Sequence, residues 1–209
     1  MKKILLVDDH FVVRSGMKAV LSEMLKPIEI HDAGNGDAVV EKLKKTTYDL
    51  IIMDIKMPDT DTLGLMEYIA TKYPEAKVLI FSMNSENIYA KRFLKMGAKG
   101  FISKNALLED IIKAINTVLN GRKYISESLA QSLAEESISD THTNPFDKLS
   151  KREFEIVSLL VSGQTLNEIA ICLNLHSSTV GSHKARIFEK LGVANILELK
   201  ELANSYKME

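Results

Sequence analysis

Residues Tyr48–Asp59 read YDLIIMDIKMPD, and this stretch decides the fold. Its apolar part, Leu50–Asp54, has the length of a strand and ends in a carboxylate, which predicts a strand buried on both faces of a parallel sheet. In open α/β sheets, ligands bind outside the carboxyl ends of the strands. The sequence therefore places Asp54 where a side chain can act on a ligand, although a cap or turn is the commoner use of an aspartate at a strand end.

Strand-like runs and helical patterns alternate on both sides of this stretch. The other predicted strands are Ile4–Val7, Ile28–Ala33, Val78–Phe81 and Gly100–Ile102. A helical pattern of apolar residues follows each of the five strands. Five βα units in a row predict an α/β fold, a flavodoxin-like, doubly wound, five-stranded parallel sheet with helices on both faces. We assign this domain to residues 1–125.

The charge distribution marks a linker after this domain. Residues 126–147 hold no Lys or Arg and five acidic residues, a net charge of −5, whereas residues 1–125 carry +3 and residues 148–209 carry +1. An acidic stretch rich in Ser and Thr between two balanced segments is typical of a linker. Its first part, 126–136, has the composition of a short helix.

From residue 148 onward the strand patterns disappear. Ser150 with Glu153, and Thr165 with Glu168, have the spacing of capping boxes that open helices. A third helix is predicted at Ser177–Leu191, capped by its first or second serine, and a fourth from Ile196 to about Ser205. Short helices joined by a few residues in a domain of this size indicate a small all-α, four-helix domain with a helix-turn-helix, at residues 148–209.

The composition excludes several classes of protein. The 209 residues are 45% hydrophobic and 26% charged, as in ordinary globular proteins. A single cysteine, Cys172, excludes an internal disulfide framework and fits a reducing compartment. No apolar run approaches the length of a membrane span, and Asp8-Asp9 interrupt the core that a signal peptide would need. We therefore expect a cytoplasmic protein without a membrane partner.

Polar side chains follow four of the five predicted strands. Asp8, Asp9 and Asp54 end the first and third strands, which are neighbours in the strand order 2-1-3-4-5. Carboxylates that converge repel one another unless a cation joins them, and oxygen ligands of this kind suit Mg²⁺. Ser82 and Lys104 end the fourth and fifth strands and add a hydroxyl and an ammonium. Such a set is suited to phosphoryl transfer.

These residues, together with Met57-Pro58, Asp61 and Gly100-Phe101-Ile102, resemble the receiver domain of two-component response regulators. The resemblance implies that Asp54 accepts a phosphoryl group from a histidine kinase as an acyl phosphate. It also implies that Asp8, Asp9 and Asp54 hold Mg²⁺ with the main-chain carbonyl of Lys56. Ser82 and Lys104 would contact phosphoryl oxygens, and Phe101 would turn inward as an aromatic switch. Thr62 stands where the family usually has glycine, and a β-branched residue disfavours a positive φ.

The C-terminal domain resembles the LuxR-type DNA-binding domain. The resemblance rests on LSKREFEI at 149–156, EIA at 168–170, Thr179-Val180, His183 and KLGV at 190–193. A receiver followed by such a domain indicates the NarL/FixJ type of response regulator, which implies double-stranded DNA as a partner and a homodimer when phosphorylated. The second helix of a helix-turn-helix lies in the major groove. On the helix Ser177–Leu191, the candidate DNA contacts are Ser178, Thr179, Ser182, His183, Lys184 and Arg186.

Two alternatives stay open at this point. The C-terminal domain carries only +1, and Leu166-Asn167, His176, Gly181 and Ile196 replace polar or basic residues that the family often has. An interaction module that has lost tight DNA binding is therefore one alternative. The other is an aspartyl-phosphate phosphatase of the haloacid-dehalogenase kind, which needs a second acid two residues after the nucleophile. Lys56 occupies that place here, so the chain is expected to be a phosphoacceptor and not an enzyme.

Overall fold

The computed structural model describes residues 1–58, 60–139, 144–206 and 208. The chain forms two compact units. The first comprises Met1–Glu86 and Ala90–Glu127, and the second comprises Asn87–Tyr89 and Ser128–Glu209.

The first unit contains a five-stranded parallel sheet. Its strands are β1 (Lys2–Val7), β2 (Ile28–Ala33), β3 (Leu50–Met53), β4 (Val78–Ser82) and β5 (Gly100–Ser103). They are ordered β2-β1-β3-β4-β5, and all neighbours are parallel. The predicted flavodoxin-like order is confirmed. Since β1 and β3 pair directly, the carboxylates that follow these two strands emerge side by side.

Five helices connect and follow the strands. They are α1 (Phe11–Met24), α2 (Gly36–Lys45), α3 (Thr62–Lys72), α4 (Glu86–Lys95) and α5 (Leu108–Leu119). Helices α1 and α5 cover one face of the sheet, where their apolar side chains pack on Ile4, Leu6, Leu50 and Ile52. The intervening residues Leu5, Val7, Ile51 and Met53 are also buried, and successive side chains of a strand point to opposite faces. The sheet is therefore covered on both faces.

Gly100 is required where β5 begins. A bridge pairs this residue with Tyr124, beyond α5. A Cβ at Gly100 would lie 3.0 Å from both the Tyr124 main-chain oxygen and Leu79 Cδ1. Both contacts are tighter than ordinary van der Waals contact, so a side chain at this position would force its neighbours to move by a few tenths of an ångström.

The second unit is helical in the part that the structure describes. The segment assigned as a linker contains α6 (Glu127–Ser139), and a 3-10 turn follows at Pro145–Lys148. Residues 140–143 of that segment lie outside the described residues. The four predicted helices are α7 (Lys151–Val161), α8 (Leu166–Cys172), α9 (Ser177–Leu191) and α10 (Ile196–Ser205). Their core includes Phe146, Phe154, Ile156, Val157, Ile169, Val180, Ile187 and Leu199.

The helix caps of this unit follow the sequence with one exception. Both capping boxes form, at Ser150 with Glu153 and at Thr165 with Glu168. The N-cap of α9 is His176, however, so the prediction of a serine cap is wrong. Ser177 is already the first residue of α9, and its hydroxyl donates to Asn167 Oδ1 on α8 at 2.7 Å. That bond ties α8 to the start of α9.

Candidate functional site

Both oxygens of the Asp54 carboxylate are fixed by donors from three segments. Asp54 follows β3 and is 4% exposed. Its Oδ1 accepts hydrogen bonds from the Ser82 hydroxyl at 2.7 Å and from the main-chain NH groups of Ile55 and Lys56 at 2.6 and 3.2 Å. Its Oδ2 accepts one from Lys104 Nζ at 2.6 Å. The carboxylate is thus held in one orientation at the edge of the sheet.

The parallel ladder brings these residues together. The Asp54 NH donates to the Val7 carbonyl at 2.8 Å, and the Lys104 NH donates to the Ser82 carbonyl at 2.9 Å. Each bond continues the sheet pairing one residue beyond a strand. Because neighbouring strands end at the same level, the side chains that follow them meet at one edge.

The ammonium of Lys104 bridges two aspartates. Its Nζ lies 2.6 Å from Asp54 Oδ2 and 2.5 Å from Asp8 Oδ2, and the lysine side chain is 10% exposed. The contact to Asp8 is an ion pair without hydrogen-bond alignment. Burial by itself would lower the pKa of Lys104, but its close contacts and charge interactions with Asp54 and Asp8 outweigh that effect and raise the pKa. Lys104 is therefore a cation at neutral pH and offsets part of the carboxylate charge.

Asp8 and Asp9 have the properties of cation ligands. Oδ2 of Asp8 and Oδ1 of Asp9 are buried atoms that accept no hydrogen bond among the described residues. With the neighbouring His10, they place one ligand atom each within 4.8 Å of one another. Buried carboxylate oxygens without donors are stabilised by a divalent cation. The acidic pair therefore fits a divalent metal ion.

Arg14 supports the acidic pair, and sequence reasoning missed it. Its Nη1 donates to the main-chain carbonyls of Asp8 at 2.6 Å and Asp9 at 3.1 Å, and its Nε donates to Asp32 Oδ2 at 3.0 Å. The hydrogen bond from Lys18 holds the pKa of Asp32 below its ordinary value against the effect of burial, and Arg14 adds to the lowering. Arg14 lies in the first turn of α1, and helical side chains lean toward the helix N-terminus. This position in the sequence could have indicated that Arg14 reaches back to the acidic pair.

Four further residues near this edge differ in their surroundings. Phe101 is fully buried in β5, which is the inward position that an aromatic switch would adopt. Asn84 is buried, and its NH donates to Ser82 Oγ at 3.4 Å. The side chain of Lys56 is exposed. Thr62 is the first residue of α3 and lacks a positive φ, so a β-branched residue is tolerated there.

Helix α9 carries all six candidate DNA contacts. Val180 and Ile187 of this helix are buried, and Leu191 is partly buried. The hydroxyl of Ser182 donates to the carbonyl of Ser178 at 3.1 Å. The six candidates are exposed at Ser178, Ser182 and Arg186 and partly exposed at Thr179, His183 and Lys184.

The cations of α9 differ in availability. Lys184 Nζ lies 5.2 Å from the centre of the Phe188 ring, a cation–π distance, whereas Arg186 is exposed. A Cβ at Gly181 would meet no atom within 4 Å. Gly181 is therefore not required by close packing. Its main effects are that this face of α9 lacks a side chain there and that the helix is less stable than it would be with alanine.

Glu153 links the first and third helices of the helix-turn-helix domain. Its Oε2 accepts hydrogen bonds from the Ser150 NH at 2.8 Å and from Lys190 Nζ at 2.7 Å. Burial alone would raise the pKa of Glu153, but the hydrogen bonds from Lys190 and Ser150 outweigh it and lower the pKa to about 2. Because the folded pKa lies below the unfolded one, the resulting stability is present above about pH 4.5 and is lost as the pH falls through about 2.

We expect Lys190→Met to destabilise the α7–α9 packing by about 2 kcal/mol at pH 7, since it leaves a buried carboxylate without its cation. Amide hydrogen exchange of α7 and α9 in the full chain measures this loss. The variant should also lose less stability than the wild type between pH 4.5 and 2. Lys148→Met, which removes an exposed lysine outside these helices, is the matched control. Equal exchange rates in the two variants would contradict the role of the pair.

Among the described residues, no helix combines the length and the apolar character needed to cross a bilayer.

The comparisons with known proteins agree with this arrangement. Residues 4–116 match the response regulator receiver domain, and residues 147–203 match the bacterial regulatory proteins of the luxR family. Response regulator UvrY of Escherichia coli (strain K12) is 33% identical over 97% of this chain and 94% of its own length.

Two solved structures of the response regulator RcsB are also similar. One is a structure of RcsB from Salmonella typhimurium, from work on conformational dynamism for DNA interaction. It is 26% identical in sequence, covers 99% of this chain and 100% of that chain, and has a TM-score of 0.81. The other contains two RcsB dimers bound to two parallel DNAs; it is 26% identical, covers 98% of each chain, and has a TM-score of 0.61. The chain therefore belongs to the two-component response regulators of the NarL/FixJ type, which join a receiver domain to a LuxR-family regulatory domain.

Proposed function

We propose that this response regulator is switched by phosphorylation of Asp54, with a sensor histidine kinase as the phosphoryl donor. The observation that carries the proposal is the Asp54 carboxylate, which is buried at a sheet edge yet surrounded by a hydroxyl, two main-chain NH groups and an ammonium. These donors can pass from carboxylate oxygens to phosphoryl oxygens without a change of backbone. The donors around Asp54 are therefore already placed to stabilise the negative charge that phosphorylation adds.

The reaction follows from the positions of these groups. A carboxylate oxygen of Asp54 attacks the phosphorus of a phosphohistidine, the new P–O bond forms an acyl phosphate, and the P–N bond breaks. The histidine nitrogen of the kinase takes up a proton as it leaves. Ser82 donates its hydroxyl hydrogen to one phosphoryl oxygen, and Lys104 pairs with another. The chain is consumed as a substrate and is not itself a turnover enzyme.

Asp8, Asp9, Asp54 and the main-chain carbonyl of Lys56 would hold the magnesium ion of this reaction. When bound, Mg²⁺ neutralises charge on the phosphoryl oxygens and brings the acidic groups together. The support for this assignment is that Asp8 Oδ2 and Asp9 Oδ1 are buried oxygens that accept no aligned hydrogen bond, although Lys104 Nζ and His10 Nδ1 lie 2.5 and 2.9 Å from them. Arg14 would hold the main chain of both aspartates while the ion is exchanged.

Ser82 and Phe101 would transmit the change. The Ser82 hydroxyl has a single hydrogen, which it gives to Asp54 at 2.7 Å. Once that hydrogen bond passes to a phosphoryl oxygen, Ser82 is drawn toward the phosphate. The fully buried side chain of Phe101 is the inward position that phosphorylation would stabilise.

Lys56 and Asn84 would set the lifetime of the acyl phosphate, because both lie two residues beyond a site residue. We expect Lys56→Ala and Asn84→Ala each to change the dephosphorylation rate by severalfold. The phosphoryl donor is removed from the phosphorylated protein, and the amount of acyl phosphate that remains is measured over time. Its decay gives the dephosphorylation rate. Lys99→Ala, a substitution away from the site edge, should leave the rate unaltered. Wild-type rates in both site variants would show that neither residue controls the lifetime.

The second half of the proposal is a phosphorylation-dependent homodimer that binds double-stranded DNA through α9. We assign the receiver to 1–125, the linker to 126–147 and the DNA-binding domain to 148–209. The matched ranges 4–116 and 147–203 and the RcsB dimers on DNA support this assignment. Two half-sites that each bind weakly act together in a dimer, which compensates for the low charge of the domain. A DNA-binding role also implies a cytoplasmic location.

Phosphoryl donor and Mg²⁺ should raise both the dimer fraction and the DNA affinity of the wild type, on duplexes obtained by selection from a random pool. Arg186→Ala should weaken binding and reduce the slope of log affinity against log salt by about one, because one phosphate contact is lost. Lys148→Ala removes an equal charge outside α9 and should leave the slope unchanged. Absence of salt-sensitive binding by the phosphorylated wild type would favour the interaction-module alternative.

A further inference from the structure

His10 faces the two aspartates of the metal site. Its Nδ1 lies 2.9 Å from Asp9 Oδ1 and forms a hydrogen bond with Asp8 Oδ1 at 3.2 Å. Its main-chain NH donates to the same Asp8 Oδ1 at 2.8 Å, which fixes the residue against the acidic pair. The phosphoryl chemistry described above uses no imidazole at this position, so His10 is a chemical group without an assigned role.

The spacing of the three donor atoms suits a common metal ion. Two ligand atoms bound about 2.1 Å from one ion at a right angle are separated by about 3.0 Å. The two measured distances from the His10 nitrogen, 2.9 and 3.2 Å, are close to that separation. Lys104 engages the other oxygen of Asp8, Oδ2, so Oδ1 is directed toward His10. The nitrogen and both Oδ1 atoms could therefore contact one ion after small shifts.

The backbone holds His10 in this position. The residue is the N-cap of α1, and its carbonyl accepts from the Arg14 NH at 3.2 Å. The Arg14 guanidinium in turn binds the carbonyls of Asp8 and Asp9. The three consecutive ligands thus form one loop that the start of the helix fixes, while the His10 side chain is 66% exposed and accessible to an ion from solvent.

We propose that His10 Nδ1, together with Asp8 and Asp9, is a protein ligand for first-row transition ions such as Mn²⁺ and Zn²⁺, at a position that shares these two carboxylates with the magnesium site. The inference rests on the metal site of the proposed function. An imidazole nitrogen adds little to the binding of Mg²⁺, which prefers oxygen ligands, and much more to the binding of Zn²⁺. In the bound form, Nδ1 gives its lone pair to the ion and the imidazole proton resides on Nε2. A zinc-class ion would accordingly compete with Mg²⁺ for the same carboxylates.

The test compares the full-length wild type with His10→Ala and with His176→Ala. His176 is an exposed histidine of the other unit whose side chain makes no capping bond, so its removal is a matched loss of one imidazole. Electron spin-echo spectroscopy of bound Mn²⁺ detects a directly coordinated nitrogen. Calorimetric titrations with Zn²⁺ and with Mg²⁺ give the two affinities, and thermal unfolding without metal verifies that the variants fold.

The wild type and His176→Ala should show the nitrogen signal, and His10→Ala should lack it. Zn²⁺ affinity should fall on the order of tenfold or more in His10→Ala, with Mg²⁺ affinity changed by less than about twofold. The role of His10 would be overturned if the wild type bound Mg²⁺ but its bound Mn²⁺ gave no nitrogen signal. Equal Zn²⁺ affinities in wild type and His10→Ala would overturn it as well. Either result would leave the phosphorylation proposal standing. If neither Mg²⁺ nor Mn²⁺ binds the wild type, both the inference and the metal site fail.

Discussion

Asp54→Asn is expected to abolish phosphorylation completely. An amide cannot form the acyl phosphate, and Asp8 and Asp9 are not substitutes because they are assigned to the metal. The replacement keeps the size of the side chain and removes one of the carboxylates that crowd the edge, so the protein should stay folded. The readout is incorporation of phosphate from a small-molecule phosphoryl donor in the presence of Mg²⁺, followed by intact mass.

The matched control is Asp37→Asn, at an exposed acidic residue in the first turn of α2. It should be phosphorylated like the wild type, and only the wild type and this control should gain dimer formation and DNA binding. The modification should also be removed by hydroxylamine, which attacks acyl phosphates. Stable incorporation into Asp54→Asn would place the phosphoryl group on another residue and contradict the proposed function.

Lys104→Met has the second-largest expected effect. It deletes the ammonium that contacts both Asp54 and Asp8, at 2.6 and 2.5 Å, and keeps the length of the side chain. Loss of one preorganised charge at a reacting group typically slows a reaction by about 10²- to 10³-fold. We expect the initial rate of phosphorylation to fall within that range, as measured with saturating donor and Mg²⁺.

Two variants make this result specific. Lys104→Arg retains the charge but not the compact geometry, and it should recover only part of the rate, since a planar guanidinium cannot reproduce the contact of an ammonium. Lys113→Met, at an exposed lysine of α5, should have no effect. If Lys104→Met were phosphorylated at the wild-type rate, the ammonium would have a structural role only. Its removal would then be visible as lower thermal stability that Mg²⁺ restores, because Asp8 and Asp54 would repel each other.

The sheet and its edge could be predicted because each rests on a local pattern. Apolar runs define where strands end, and parallel strands of a doubly wound sheet end at one edge. The strand ends therefore predict that Asp54, Ser82 and Lys104 lie together. In the structure, the Asp54 carboxylate lies 2.7 Å from the Ser82 hydroxyl and 2.6 Å from Lys104 Nζ. The four helices after residue 148 could also be predicted from the sequence. Two capping boxes mark helix starts, and buried apolar residues recur at helical spacing.

Other features depend on how helices are rotated and which rotamers they allow. The bonds from Arg14 to the Asp8 and Asp9 carbonyls require a particular orientation of α1. The pair of Glu153 with Lys190 joins residues that are 37 positions apart and lie on different helices. The sequence identifies Phe101 as a candidate switch, but its buried position depends on a rotamer that only the packing of β5 selects.

The amino-acid sequence alone predicts the class of fold, the order of the strands, the polar side chains that surround Asp54 at the sheet edge, and the helix that carries the candidate DNA contacts. Tertiary structure alone decided that Lys104 bridges two aspartates, that Arg14 holds the acidic loop, and that His10 faces the same carboxylates. The physical reason is that periodicity and strand ends are encoded in short stretches of chain. Contacts between individual atoms arise only when several such stretches pack together and select one rotamer for each side chain.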